Sequence, residues 1–377
     1  MVAGQGPLAG VRVLELGGIG PGPFCCMVLA DLGADVIRIA APRATGVGTR
    51  QVSGAVLNRG RVEMALDLKE EEGLQAALSL MERADVLVEG FRPGVAERLG
   101  LGPDACLGRN PGLVYVRVTG WGQSGPLAHA HGHDINYLAL SGTLDMLGRA
   151  GQPPTPPINL LGDFGGGGML AVIGALAGLR AAADSGRGQV VDASILDGSA
   201  LLTSMVHAMA AGGRWRAERG TNTFDTGAPY YDVYETADAR WMAVAATSPT
   251  AFASLCSVLG MDAGETPSIP ERSEWPLLRS RIAAAFRDRP QSEWVKRFEG
   301  TQSCVTPVLT VDEAVEHPHN IEHGTFVAVN GVVQAAPAPR FSESPAAPPE
   351  PLRTDRGAVA GALGRWGLDG SEVLRDG

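Results

Sequence analysis

Along the first third of the chain, short and almost wholly apolar runs alternate with stretches whose apolar residues fall three and four positions apart. Val11 to Leu16 reads as a buried strand, the turn from Gly17 to Pro23 opens a helix running to Leu32, and Ala34 to Ile39 reads as a second strand. The alternation continues with a strand over Val62 to Leu68, a helix from Glu70 to Arg83, and a strand over Asp85 to Phe91. A short helix near Gly94 to Leu99 and a strand over Leu113 to Thr119 complete it. Repeated βα units predict an α/β fold, a doubly wound and mostly parallel sheet covered by helices on both faces.

The pattern changes after Asp163. Long apolar-periodic stretches predict helices over Gly168 to Ala183 and Ala193 to Ala211, separated by a strand over Gly188 to Asp192. From Tyr230 the signal becomes antiparallel: alternating Tyr230 to Glu235, a polar turn at Thr236 to Asp238, then Trp241 to Ala246. Helices are expected near Pro249 to Leu259, Trp275 to Phe286 and Ser292 to Phe298. The expected organisation is a large α/β domain over 1–220, a smaller α+β domain over 228–325, and a segment over 330–377 that returns to the large domain. Its proline-rich part, Ala335 to Pro351, predicts extended chain.

At 377 residues the chain can bury enough surface for two domains and a cleft. A net charge of −10 argues against nucleic acid as a partner, because phosphate binding needs clustered positive charge. No run of eighteen apolar residues and no secretory leader are spelled in the sequence, so no membrane contact and a cytosolic location are expected. Cys25, Cys26, Cys106, Cys256 and Cys304 show no metal or redox spacing and are expected to be buried free thiols.

The chemistry concentrates in Gly132-His133-Asp134-Ile135-Asn136-Tyr137 and, some thirty residues on, Gly162-Asp163-Phe164 followed by four glycines. An imidazole and a carboxylate set on glycine-rich turns can flank a small substrate and exchange protons with it. Asp134 serves the same site or caps the helix it opens. Tyr137, one turn further, lines the pocket or buries itself. Rival motifs are poorly spelled. Gly17 to Pro23 lacks the dinucleotide spacing and places two prolines where pyrophosphate needs N–H groups. His129, His131 and His133 lack a spaced fourth ligand, so no metal is expected. In Gly122 to Pro126 the closing glycine comes one place early for a nucleophile elbow.

Seven ordered segments carry a more specific signal: Leu8 to Leu16, Gly20 to Phe24, Ala30 to Ile37, Leu66 to Lys69, Glu89 to Gly94, Gly120 to Pro126 and Gly188 to Asp192. Together they resemble the family III CoA-transferase superfamily from about residue 7 to 345. Within it, Gly-His-Asp-Ile-Asn-Tyr at 132 to 137 is similar to the racemases of 2-methylacyl-CoA thioesters, whereas transferases usually carry another residue where His133 stands.

The resemblance implies α-proton exchange through an enolate, with His133 and Asp163 as the acid and base, no cofactor beyond the CoA of the substrate, and an interlocked homodimer. It places the thioester against Gly132, Asp134, Ile135, Asn136 and Tyr137, and CoA against Leu66, Asp67, Leu68, Lys69, Gly90, Phe91, Arg92 and Arg98. An enolate also needs donors, for which the backbone after His133 or the Gly165 to Gly168 turn is expected.

Two positions depart from the racemase pattern. Ala40-Ala41 stands before Pro42 where a carboxylate and an arginine are usual, leaving Arg43 as a substitute. Ser248 stands before Pro249 where a glutamate usually pairs with the histidine. The alternatives are CoA transfer through Asp134, other enolate chemistry on an acyl thioester, or thioester binding without turnover.

Overall fold

A computed structural model describes residues 5–42, 56–262 and 268–369. Two compact units form, one from Met1–Ser141, Pro157–Thr203 and Ile321–Gly377, the other from Gly142–Pro156 and Ser204–Asn320.

The first unit is built on six parallel strands: β1 (Arg12–Leu16), β2 (Asp35–Ala40), β3 (Arg61–Ala65), β4 (Val86–Glu89), β5 (Val114–Thr119) and β6 (Gln189–Ser194). Their order across the sheet is β3-β2-β1-β4-β5-β6. The helices α1 (Pro21–Asp31), α2 (Glu71–Met81), α3 (Val95–Arg98), α4 (Pro103–Arg109), α5 (Asp134–Leu140), α6 (Met169–Ser185) and α7 (Ile195–Leu202) follow in the chain.

Strand residues alternate between two apolar layers, as the pleat requires. Leu14, Leu16, Ile37, Ile39, Leu87 and Tyr115 pack with α2 on one face. Val13, Val36, Val86, Val88, Val114 and Val116 pack with α1 and α6 on the other. Each such side chain taken from water contributes roughly 1.5–3 kcal/mol, which is why these strands read as continuous apolar runs. The expected doubly wound sheet is what forms.

Its edge is finished by the returning chain. Residues 336–350 are free of helix and strand, and Arg353 then pairs with β3 at Val62. The Asp31 carboxylate, at 2.6 Å from the Arg59 guanidinium, and Gln334, at 2.7 Å, tie α1 to the incoming chain.

The second unit opens with α8 (Ser204–Ala211) and carries a three-stranded antiparallel sheet of β7 (Tyr231–Glu235), β8 (Trp241–Ala245) and β9 (Val305–Pro307). Helices α9 (Pro249–Leu259), α10 (Trp275–Phe286), α11 (Gln291–Phe298), α12 (Val311–Glu316) and α13 (Pro318–His323) accompany it. Back in the first unit, β10 (Phe326–Val329) and β11 (Val332–Ala335) form a hairpin, and α14 (Arg356–Arg365) buries Val359 and Leu363.

Several expectations are corrected. The helix expected over Ala193 to Ala211 is divided, because Ala193 and Ser194 complete β6 and the Ser194 hydroxyl caps α7 by accepting the Asp197 N–H at 3.0 Å. The first unit leaves the chain at Thr203, and the second takes it up at Ser204 and includes Gly142–Pro156. Four cysteines are buried, but Cys304 is exposed. The stretch Leu160–Ser185 is one continuous apolar helical run, long and apolar enough by length and composition to cross a membrane. Its Ala171, Val172 and Ala175 lie in the core under the sheet.

Candidate active site

The sheet order reverses direction between β1 and β4. In an open α/β sheet the loops diverge there and leave a crevice beyond the carboxyl ends of the strands. A cleft of about 420 Å³ lies at that point, lined by the ends of β1, β4 and β5 and the turns after them: Glu15, Leu16 and residues 18–23, residues 88–93, and Val118 to Trp121. His131, Gly132, His133, Tyr137, Asn159 and Asp163 are among the other residues of its wall.

His133 stands in extended conformation immediately before α5, and its backbone N–H donates to the Asn136 side-chain carbonyl at 3.0 Å. This reciprocal cap fixes where the imidazole leaves the backbone. Tyr137 is wedged behind it. Its hydroxyl donates to the Gly132 carbonyl at 2.5 Å and its ring meets Trp121 edge-on at 4.7 Å. A Cβ at Gly120 would lie 2.1 Å from the Tyr137 ring, so this strand end can only be glycine.

Asp163 sits in a wide helical segment, Leu160–Gly168, that leads directly into α6. The expected glycine turn over Gly165 to Gly168 is therefore absent, and those residues are not available as free donors to an enolate. Their purpose is close packing: Cβ atoms at Gly166, Gly167 and Gly168 would come within 3 Å of Ser199, Ile195 and Phe24. Inside a helix their N–H groups are directed along the axis.

Asp134 joins the two halves of the site. It is buried, and its carboxylate accepts the Asp163 N–H at 2.7 Å. The Gly162 N–H donates to it as well. Gly162 must lack a side chain, because a Cβ there would sit 2.3 Å from the Asp134 oxygen. Asp134 thus caps the segment carrying Asp163, while His133 caps α5.

Burial, and next the nearby Asp134 charge, push the Asp163 carboxyl above the ordinary aspartate range, while Asn159 and His133 pull it back. Asn159 follows Ile158, a β-branched residue held at φ 59°. Such a backbone costs about 1–3 kcal/mol and persists where surroundings impose it. Gly20, at φ 70°, faces the same carboxylate, with Asp163 Oδ2 3.5 Å from where its Cβ would be.

Of the residues expected to hold CoA, Gly90, Phe91 and Arg92 line the cleft. Their turn is held by buried Glu89, which accepts the Phe91 N–H at 2.6 Å and pairs with Arg117 at 2.8 Å. Leu66, Asp67, Leu68 and Lys69 follow β3 outside the lining, with the Lys69 N–H closing a turn on Asp67 at 3.0 Å. Arg98 is exposed at the end of α3, also outside the lining. Ile135 is exposed on α5, and Asn136 serves the cap. Ala40 ends β2, and Arg43 lies outside the described residues.

The family model described as CoA-transferase family III matches residues 8–355. The chain belongs to that family. It is 44% identical to the α-methylacyl-CoA racemase of Mus musculus over 370 residues, covering 98% of this chain and 95% of that protein. It is 43% identical to the Homo sapiens α-methylacyl-CoA racemase over 342 residues, covering 90% and 88%. The fold is similar to a CaiB/BaiF family protein from Brucella suis, with TM-score 0.78 at 24% identity, covering 97% of this chain and all of that one.

In this family III chain the sequence reading overlooked three parts of the site. Asn159, an ordinary loop residue in the sequence, bonds Asp163. His131, expected only not to bind a metal, lines the cleft, its ring nitrogens 2.8 and 2.9 Å from the Arg92 guanidinium. Under the cleft, Glu15 pairs with Arg61 at 2.5 Å and with Arg38, and Arg38 donates to the Gly18 carbonyl at 3.2 Å. A charged residue within two apolar strand runs, Glu15 and Arg38, and one beside a third, Arg61, was the available signal. Ser248 is an N-cap, its hydroxyl accepting the Ala251 N–H of α9 at 3.2 Å.

Proposed function

We propose that this protein is an isomerase that racemises 2-methylacyl-CoA thioesters by removing and returning the α-proton. The observation that carries the reading is that His133 and Asp163 line one cleft at the switch point of the sheet, with the Asp163 carboxyl pushed above the ordinary aspartate range by burial and by the Asp134 charge.

The thioester carbonyl acidifies C2. His133, as neutral imidazole, takes the C2 proton, and the bonding electron pair moves onto the thioester oxygen as an enolate. Asp163, protonated, gives its proton to the opposite face of C2, and the carbonyl re-forms. The enzyme is left with imidazolium and carboxylate, the state needed to process the other enantiomer or to exchange with water. The enolate oxygen needs hydrogen-bond donors, and the backbone at the start of α5 is the remaining source now that Gly165 to Gly168 is helical. Arg92 holds an anionic part of CoA at the mouth, with no further cofactor.

The protein works as a homodimer. Large apolar side chains stand exposed on the helical layer, among them Leu160, Met169, Ile173, Leu176 and Leu201, and a second copy would cover them. CoA transfer through Asp134 is the weaker reading, because that carboxylate is buried and already accepts two backbone N–H groups. Chiral analysis after incubation with one pure enantiomer tests the choice. Racemisation gives the other enantiomer without a free acid, whereas transfer moves the acyl group to an added carboxylate and leaves C2 unchanged.

A further inference from the structure

The second unit has a hollow of its own, about 520 Å³, with no link to the chemistry above. Arg149, Arg216, Arg272 and Arg279 line it together with Trp275 and the loop residues Gly220, Thr221, Thr226 and Gly227. No aspartate or glutamate is among its lining residues, in a chain where acids outnumber Lys and Arg by 41 to 31.

The wall is built before any ligand arrives. The Asp225 carboxylate accepts the N–H groups of Gly220 at 3.0 Å, Asn222 at 2.7 Å and Gly227 at 3.2 Å, closing the loop on itself. One buried carboxylate, Asp232, holds two of the guanidiniums: Arg149 at 2.8 and 3.1 Å, and Arg279. Arg279 is pinned further by donating to the Thr226 and Gly227 carbonyls at 2.7 Å.

The other two have no ion-pair partner among the described residues. Among those residues Arg272 lies over the Trp275 ring at 5.3 Å and donates to the Arg214 carbonyl at 3.3 Å. Glu271 and Glu274, on either side of it, are engaged with each other in a capping box, the Glu271 N–H donating to the Glu274 carboxylate at 2.8 Å. Arg216 is pinned through its main chain, with its N–H on Asn222 at 2.7 Å and its carbonyl accepting from Asn222 at 2.9 Å. Among the described residues its guanidinium has no hydrogen-bond or ion-pair partner. Four guanidiniums around one carboxylate repel one another, at a cost that an anion in the hollow would reverse. Planar guanidiniums at fixed positions suit phosphate oxygens in particular.

We infer that this hollow binds a small molecule carrying a diphosphate group, with Arg216 and Arg272 as its principal contacts. The volume exceeds that of a bare anion and leaves room for the organic part of such an ester.

Isothermal titration of the full-length protein with inorganic pyrophosphate at low salt tests the inference. Saturable binding is expected, weakened at least tenfold by the Arg216→Ala/Arg272→Ala double substitution and unchanged by Arg92→Ala, which removes the cation of the other cleft. If the double variant unfolds, Arg216→Gln alone should still weaken binding several-fold. Absence of saturable binding, binding that survives these substitutions, or binding lost with Arg92→Ala would overturn it.

Discussion

The Asp134 carboxylate accepts the backbone N–H of Asp163 at 2.7 Å, so the residue beside one proposed proton carrier is the anchor of the other. A hydrogen bond to a charged group is worth about 1.5–3 kcal/mol. This one also brings a negative charge close to the Asp163 carboxyl. One neighbour therefore anchors the Asp163 backbone and adds to the effect of burial on its carboxyl.

Asp134→Asn keeps an acceptor for the amide and removes the charge. The charge raises the Asp163 pKa, so its removal should move the Asp163-dependent limb of the rate profile to lower pH while activity persists. Asp134→Ala loses the anchor too, and kcat should fall roughly 10–100-fold, in proportion to the hydrogen-bond energy lost. Profiles of kcat against pH for the two variants check this. Abolition of turnover by Asp134→Asn would favour a nucleophilic carboxylate instead.

The raised Asp163 pKa is also a statement about stability. A carboxyl whose folded pKa lies above its unfolded value stabilises the fold below the unfolded pKa, and that contribution is lost as pH rises through the folded pKa. Ionising Asp163 within the fold is thus a cost. Asp163→Asn should raise Tm at pH 7, and by less near pH 4. Thermal melts at the two pH values measure it.

Gly120→Ala drives a methyl group into the Tyr137 ring, which is fixed by the Gly132 carbonyl and by Trp121. Overpacking of this kind costs about 1–3 kcal/mol. Denaturant unfolding should show the loss, and Tyr137→Ala in the same background should recover part of it.

Glu15 lies between two arginines under the cleft floor. Glu15→Ala leaves buried Arg61 without a carboxylate, while Arg38 keeps Glu63 at 3.0 Å, and should destabilise the protein by about 3–5 kcal/mol. Glu15→Gln, which keeps two polar atoms in place, should cost less. Urea midpoints of the two variants separate charge loss from shape loss.

The sheet was legible in the sequence because strands buried on both faces are written as unbroken apolar runs between helical periods. The wide helix over Leu160–Gly168 was not, because glycines that spell a turn also spell close packing, and only the position of α7 and of Phe24 decides between them. The break at Thr203 was hidden for a related reason: apolar residues continue through it, and the Ser194 cap lies in what reads as one helix. His133, Asp163 and Tyr137 could be picked out by residue type and spacing. Asn159 and Glu15 could not be assigned to the site, since their relevance comes from a hydrogen bond to Asp163 and from two distant arginines.

The most direct test follows each pure enantiomer of a 2-methylacyl-CoA through its first turnovers in heavy water. Wild-type protein should place deuterium on C2 and produce the opposite enantiomer. His133→Ala and Asp163→Ala should each lower the rate by about 10²–10⁴, each abolishing proton removal from a different enantiomer. A wild-type product without deuterium at C2, or full exchange retained in both variants, would contradict the account.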